Sequence, residues 1–331
     1  MDTIREYLDG ITELPEDVLL GRIVMFTVTD EPILHADVEK WFQELGLNPT
    51  YLPAENRAVD AFKKATTFVD KDEYDIFPGV SNSTKGILLT RPVTTDNEMV
   101  VRFIVREVRD TKRRKLGHDK AIEAVFYKGQ KVGGVVQKGS ERIRLTRIND
   151  HLEPSEVAEI DKAIDTIQDR YNHYYKYLDG QKVRAMIRDY LKYLNAIEIK
   201  GGVYFIHKNR TEELLRLREL VNRCGGGCRM DQIPIVDLDN ERQIIVEAFQ
   251  REAEEELNTL VKDIAFVRST RKRVSPEAYA KLKTKYDLVM NQAMEYQRTL
   301  GLSQSRTSAA AELALDSLVE LQSDLLRGDD A

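Results

Sequence analysis

An α+β fold is what this chain predicts, and three patterns carry the prediction. The first half alternates apolar and polar residues over short runs set between turn residues, as half-buried antiparallel strands do. The stretch Pro154–His207 carries apolar side chains at steps of three and four, then changes to steps of two. The last third keeps the three-four alternation through long segments with short joints, which suits an antiparallel bundle or coiled coil. The expected organisation is an α+β sheet domain over 1–150, a long helix with a winged-helix-like helix–hairpin over 151–210, and a helical bundle over 211–331.

Residues 1–13 read as a short amphipathic helix with Ile4, Tyr7, Leu8 and Ile11 inward. Gly21–Thr29 is rich in β-formers and reads as a strand. Two helices follow. Pro32–Leu45 carries Leu34, Val38, Trp41 and Phe42 and ends at Gly46, and Pro53–Phe68 carries Val59, Phe62 and Phe68. Lys71–Thr84, polar and broken by Pro78-Gly79, reads as a loop. The runs Gly86–Arg91, Glu98–Arg109, Lys120–Lys128, Lys131–Gln137 and Arg142–Ile148 then form a meander, covered on one side by the two preceding helices. In the second run Val101, Phe103 and Val105 alternate with Arg102, Ile104 and Arg106, so one face is richer in charge.

The seam Val157, Ile160, Ile164, Ile167, Tyr171, Tyr174 and Leu178 marks one side of a long helix. Pro154 suits its first turn, where a missing N–H costs nothing, and Glu153 and Glu156 complement its dipole. Asp179-Gly180 stops it. Gln181–Leu194 follows with Val183, Ile187, Tyr190 and Leu194 on one face, ready to pack antiparallel on the first seam. Lys200-Gly201-Gly202 joins Ala196–Ile199 to Val203–His207 as a tight hairpin, since paired glycines accept positive φ. Arg184, Arg188 and Lys192 stand four apart, a basic stripe beside the apolar face that Asp189 interrupts.

Thr211–Asn222 is a helix, and Gln232–Leu238 is a strand or extended arm, an edge because of Pro234. Helices Glu241–Val267, Pro276–Leu300 and Thr307–Leu326 complete the chain. The clean alternation at Tyr279–Leu300 also fits self-association into a homo-oligomer.

Composition bounds the function. The 331 residues hold 42% apolar and 32% charged side chains with a net charge of −6, which excludes a protein that coats nucleic acid by bulk charge. No apolar run is long enough to span a membrane, and the N-terminus lacks the pattern of a signal peptide, so the cytoplasm is expected. Walker, dinucleotide and Gly-x-Ser-x-Gly motifs are absent, and the five histidines are scattered, so a catalytic role is not expected and no cofactor is implied. Cys224 and Cys228 flank three glycines. They offer half of a zinc site, or a disulfide under oxidation, or simply a flexible helix end.

Basic clusters are the remaining lead. Lys112, Arg113, Arg114 and Lys115 fall on a hairpin tip, and Arg268, Arg271, Lys272 and Arg273 on a joint between helices. With Arg184, Arg188 and Lys192 they are the candidate phosphate contacts of a nucleic-acid-binding protein. A self-assembling helical scaffold is the alternative.

The segment Leu14–Ile23, with Val183–Arg188 and Gly201–Phe205, resembles a family of phage and microbial proteins of unknown function. That resemblance covers about the first two-thirds of the chain and implies a mobile-element setting, with no catalytic residue carried over.

Overall fold

A computed structural model describes residues 15–68, 73–80, 84–129, 131–132, 135–136, 139–148, 152–270, 274–300 and 307–329. The helix expected over 1–13 lies outside them. In chain order the first elements are β1 (Leu19–Thr27), β2 (Ile33–Leu34), α1 (His35–Glu44), α2 (Ala58–Ala65), β3 (Glu73–Asp75), β4 (Lys85–Thr95), β5 (Met99–Arg109), β6 (Lys115–Tyr127), β7 (Lys131–Val132), β8 (Val135–Val136) and β9 (Arg142–Arg147). Then come α3 (Pro154–Lys176), β10 (Tyr177–Leu178), α4 (Gly180–Tyr193), β11 (Ile197–Lys200), β12 (Val203–His207), α5 (Thr211–Arg223), β13 (Arg229–Val236), α6 (Asp239–Thr270), α7 (Pro276–Leu300) and α8 (Thr307–Asp329). The class is α+β with antiparallel sheets and C-terminal helices, as the sequence predicts.

Contacts group the chain otherwise than the sequence order 1–150, 151–210 and 211–331. One unit comprises Met1–Asp30, Trp41–Leu52 and Val183–Ala331, and the other Glu31–Lys40 and Pro53–Lys182. The physical reason is strand pairing. β1 zips antiparallel to β12 on one side, with Ile23 opposite Phe205, and to β13 on the other, with Ile23 opposite Ile233.

In the first unit the sheet order is β11-β12-β1-β13. The expected hairpin is present, with Gly201 and Gly202 both at positive φ. Its second strand joins β1, so the hairpin is the edge of a four-stranded sheet rather than a separate wing. Pro234 sits in β13, the opposite edge, as anticipated. Gly21 lets β1 approach β12: a Cβ there would lie 2.2 Å from the Ile206 carbonyl oxygen. Leu20, Ile197 and Phe205 share one core with Phe249, Leu257 and Ile264 of α6, Leu282, Val289 and Tyr296 of α7, and Leu318 and Leu321 of α8. The seam Tyr279–Leu300 is therefore filled by its own chain.

In the second unit the sheet order is β3-β4-β5-β6-β9. β3 falls within the stretch expected to be loop. The helices on this sheet are α2 and the later α3, not the two that precede it: Phe62 of α2 and Ile160, Ala163 and Ile167 of α3 pack with Ile104, Ile122 and Phe126. That burial accounts for the long seam, which the sequence assigned to antiparallel pairing with α4. Pro154 and Glu156 open α3 as anticipated, Glu156 closing a capping box with Glu153.

Candidate nucleic-acid interface

The register of the five-stranded sheet decides which side chains share a face. Opposite the helices, cross-strand rows run Arg91–Phe103–Glu123–Thr146, Leu89–Val105–Lys120 and Lys85–Arg109–Lys115. Two further rows run Val101–Val125–Arg144 and Met99–Tyr127–Arg142. Lys85, Arg91, Arg109, Lys115, Lys120, Arg142 and Arg144 thus lie on one face of the sheet, with Glu73, Asp75, Glu107 and Glu123 among them. Its centre is apolar, with Ile87, Leu89 and Val125 buried.

Two aromatic rings on this face carry cations. Lys120 Nζ stands 4.1 Å from the Phe103 ring centroid, and the Arg144 guanidinium 5.9 Å from that of Tyr127. Phe103 and Tyr127 are half-buried, while Lys120, Arg91, Arg142 and Arg144 are exposed. Sequence reasoning missed this combination of rings and cations. The alternation in β5 signals it, but β6 and β9 assign partners to it only through a register that bulges at Ala121.

The charge-rich face of β5 is the helix-covered one. Arg102 donates to the Lys63 carbonyl at 2.7 Å, satisfying the C-terminal end of α2. Arg106 pairs with Glu156 in the first turn of α3. Both cations are structural.

The Lys112–Lys115 run caps this sheet. Asp110 builds the turn: its Oδ1 accepts the Lys112 and Arg114 N–H groups at 2.9 and 2.7 Å, and its carbonyl accepts Arg113 N–H at 2.8 Å. These bonds hold the Asp110 carboxyl below its usual range, the Arg114 N–H foremost. The hairpin tip expected from the sequence is thus a hydrogen-bonded turn. Arg114 is tied to Asp110 at 2.7 Å and Lys115 to Glu107 at 3.1 Å. Arg113, at φ 60°, extends into solvent 3.9 Å from Glu73. Lys112 has no ion-pair partner among the described residues.

The other candidates sit in the first unit. Arg184 donates to Val28 O at 2.7 Å and Asp30 Oδ1 at 2.8 Å, fastening α4 to the end of β1. Lys192 stands 3.7 Å from Glu256. Lys192 also lines a cavity of about 460 Å³ with Glu198, Glu252, Glu255, Glu256 and Asp263, a setting that repels a polyanion. Arg188 is exposed. Arg268 belongs to the last turn of α6 rather than to a loop, and it is held by Glu320 and, at 2.8 Å, by Asp324 of α8. Arg271, Lys272 and Arg273 lie outside the described residues. Among the described residues, Lys112–Lys115 is the basic cluster that adjoins further cations, Lys85 and Arg109, on a sheet face.

Cys224 and Cys228 are free thiols. Cys224 Sγ contacts Leu220 O at 3.4 Å and Cys228 Sγ contacts Thr29 Oγ1 at 3.5 Å. Among the described residues no three His, Cys, Asp or Glu side chains converge as a metal site, and no helix is long and apolar enough to cross a membrane.

The model of a family of unknown function, DUF6744, matches residues 19–326 of the chain. No curated protein and no solved structure matches it.

Proposed function

We propose, for a chain that belongs to the DUF6744 family, a non-enzymatic nucleic-acid-binding role centred on the exposed cations of the five-stranded sheet's face opposite α2 and α3. The observation that carries the reading is the juxtaposition of Phe103 and Tyr127 with Lys120, Arg91, Arg142 and Arg144 on one face. Single strands are held by two kinds of contact, cations along the backbone and flat rings under the bases. Lys120 is exposed, and an exposed cation–π contact is worth only about 0.5–1 kcal/mol, so it swings off Phe103 at small cost when a base arrives. Its ammonium is then free for a phosphate. The net charge of −6 confines attraction to this local field. A mobile-element setting, which the sequence resemblance implies, suits such a role.

The test is fluorescence anisotropy with a labelled thymine homopolymer. Binding is expected to weaken steeply between about 50 and 200 mM salt, with a log–log slope near −0.7 for each phosphate neutralised. The double variant Lys120→Glu, Arg142→Glu should lose most of that affinity, whereas Arg268→Ala should not. Absence of binding at low salt, or binding indifferent to salt, refutes the reading.

A second reading, assembly of copies through α8, rests on its exposed Leu315, Val319 and Leu326, which recur at steps of four and seven. A mass that stays monomeric in light scattering at high concentration removes it.

A further inference from the structure

At the edge of the same sheet lies a cavity of about 410 Å³, lined by Lys85, Arg109 and Arg113 and by Glu73, Asp75 and Asp110. Its size suits one small ligand. Its mixed charge does not suit a bare phosphate, which the carboxylates would repel, nor a simple cation. It suits a molecule with an anionic end and a hydrogen-bond-donating end.

Backbone conformation singles out Arg113. A non-glycine residue at φ 60° is strained, and such strain gathers at functional positions. The Asp110 turn imposes it and aims the guanidinium across the cavity mouth toward Glu73, 3.9 Å away. That pair is loose, and the Arg113 side chain is 80% exposed while Glu73 is 28% exposed. Asp110, by contrast, is fully engaged by its own turn.

We infer that this cavity takes one guanine nucleotide, free or within a strand, with Arg113 on the phosphate and Glu73 on the base; the inference rests on the nucleic-acid reading above. Guanine alone among the common bases offers two adjacent N–H donors, N1–H and N2–H, on its pairing edge. A carboxylate accepts both at once. Adenine and cytosine present an acceptor beside their amino group, which faces Glu73 lone pair to lone pair, and thymine or uracil offers a single N–H between two acceptors. When the phosphate draws Arg113 away, the Glu73 carboxylate is released to the base, so the two ends of the ligand replace one ion pair.

The experiment titrates the full chain with guanosine 5′-monophosphate and with adenosine 5′-monophosphate, followed by calorimetry. Guanosine monophosphate should bind at least about tenfold more tightly, the discrimination expected of one bidentate contact. Glu73→Gln should erase the preference. Arg113→Gly should weaken both nucleotides while keeping the fold, because glycine adopts positive φ without strain; a thermal melt checks this. Equal binding of the two nucleotides, or a preference that survives Glu73→Gln, overturns the inference. A thymine homopolymer and the same strand with one guanine separate it from the reading it rests on. If the homopolymer binds with salt dependence and guanine adds nothing, only the cavity assignment falls. If guanosine monophosphate binds selectively and neither strand does, the sheet-face reading falls, and the site is one for the free nucleotide.

Discussion

Arg106 of β5 places its Nε 2.5 Å from Glu156 Oε1 in the first turn of α3, and the Glu156 side chain is 1% exposed. A second carboxylate, Asp119, meets the other end of the guanidinium at 3.2 Å. The pair joins sheet to helix through a buried carboxylate and a guanidinium that is 14% exposed. Removing one partner strands the other, so Glu156→Ala or Arg106→Ala should each cost about 3–5 kcal/mol in urea denaturation. Replacing both, as Arg106→Met with Glu156→Leu, should restore most of the loss, because apolar side chains of similar volume need no partner. A double variant as unstable as the singles would deny the pairing its role.

That pair also shows what sequence makes legible. Pro154 and Glu156 announce the start of α3, and the capping box is there. The register that brings Arg106 to Asp119, or Lys120 over Phe103, depends on bulges that no local pattern encodes. The basic run Lys112–Lys115 was readable as a hairpin tip, but not the Asp110 and Glu107 carboxylates that bind two of its members. Likewise the Gly201-Gly202 turn was readable, whereas the pairing of its strand with β1 is a long-range fact set by the cores on both faces of the sheet.

Gly21 tests that long-range pairing. A Cβ at this position meets the Ile206 carbonyl oxygen at 2.2 Å and the Phe205 ring at 2.7 Å, and a backbone atom in a ladder cannot move aside. Gly21→Ala should therefore cost at least the roughly 1–3 kcal/mol of ordinary overpacking, read as a drop in melting temperature. Gly117→Ala, with nothing within 4 Å of the added methyl, should leave the melt unchanged.

Thiol chemistry offers a further check. Burial pushes the Cys224 thiol up to about 12, with neighbouring Cys228 adding to it, so almost no thiolate exists near neutrality. Ellman's reagent at pH 8 should label Cys224 of the folded chain about a thousandfold more slowly than a free cysteine, whose pKa is about 8.5. In denaturant the label should go on at the free rate. Fast labelling of Cys224 in the native chain would show that its surroundings are not those described.

Glu252 of α6 gives the stability a pH dependence of definite sign. Its carboxylate accepts the Glu198 N–H of edge strand β11 at 2.8 Å, inside the acidic cavity. Burial pushes its carboxyl up to about 7. Glu256 and Glu198 push the same way, while the Glu198 N–H bond and Lys192 oppose. A carboxyl raised in the folded state keeps its proton where the unfolded chain has released it. Stability therefore falls as pH rises from about 4.5, the unfolded value, to about 7, and stays lower above that. Glu252→Gln keeps an acceptor for the Glu198 N–H and removes the charge. Allowing for partial exposure, the substitution should gain roughly 1 kcal/mol at pH 8, about 2–4 °C in melting temperature, and nothing at pH 4. Parallel melts across that range decide the matter: an equal gain at both pH values would mean that packing, not the buried charge, distinguishes the two side chains.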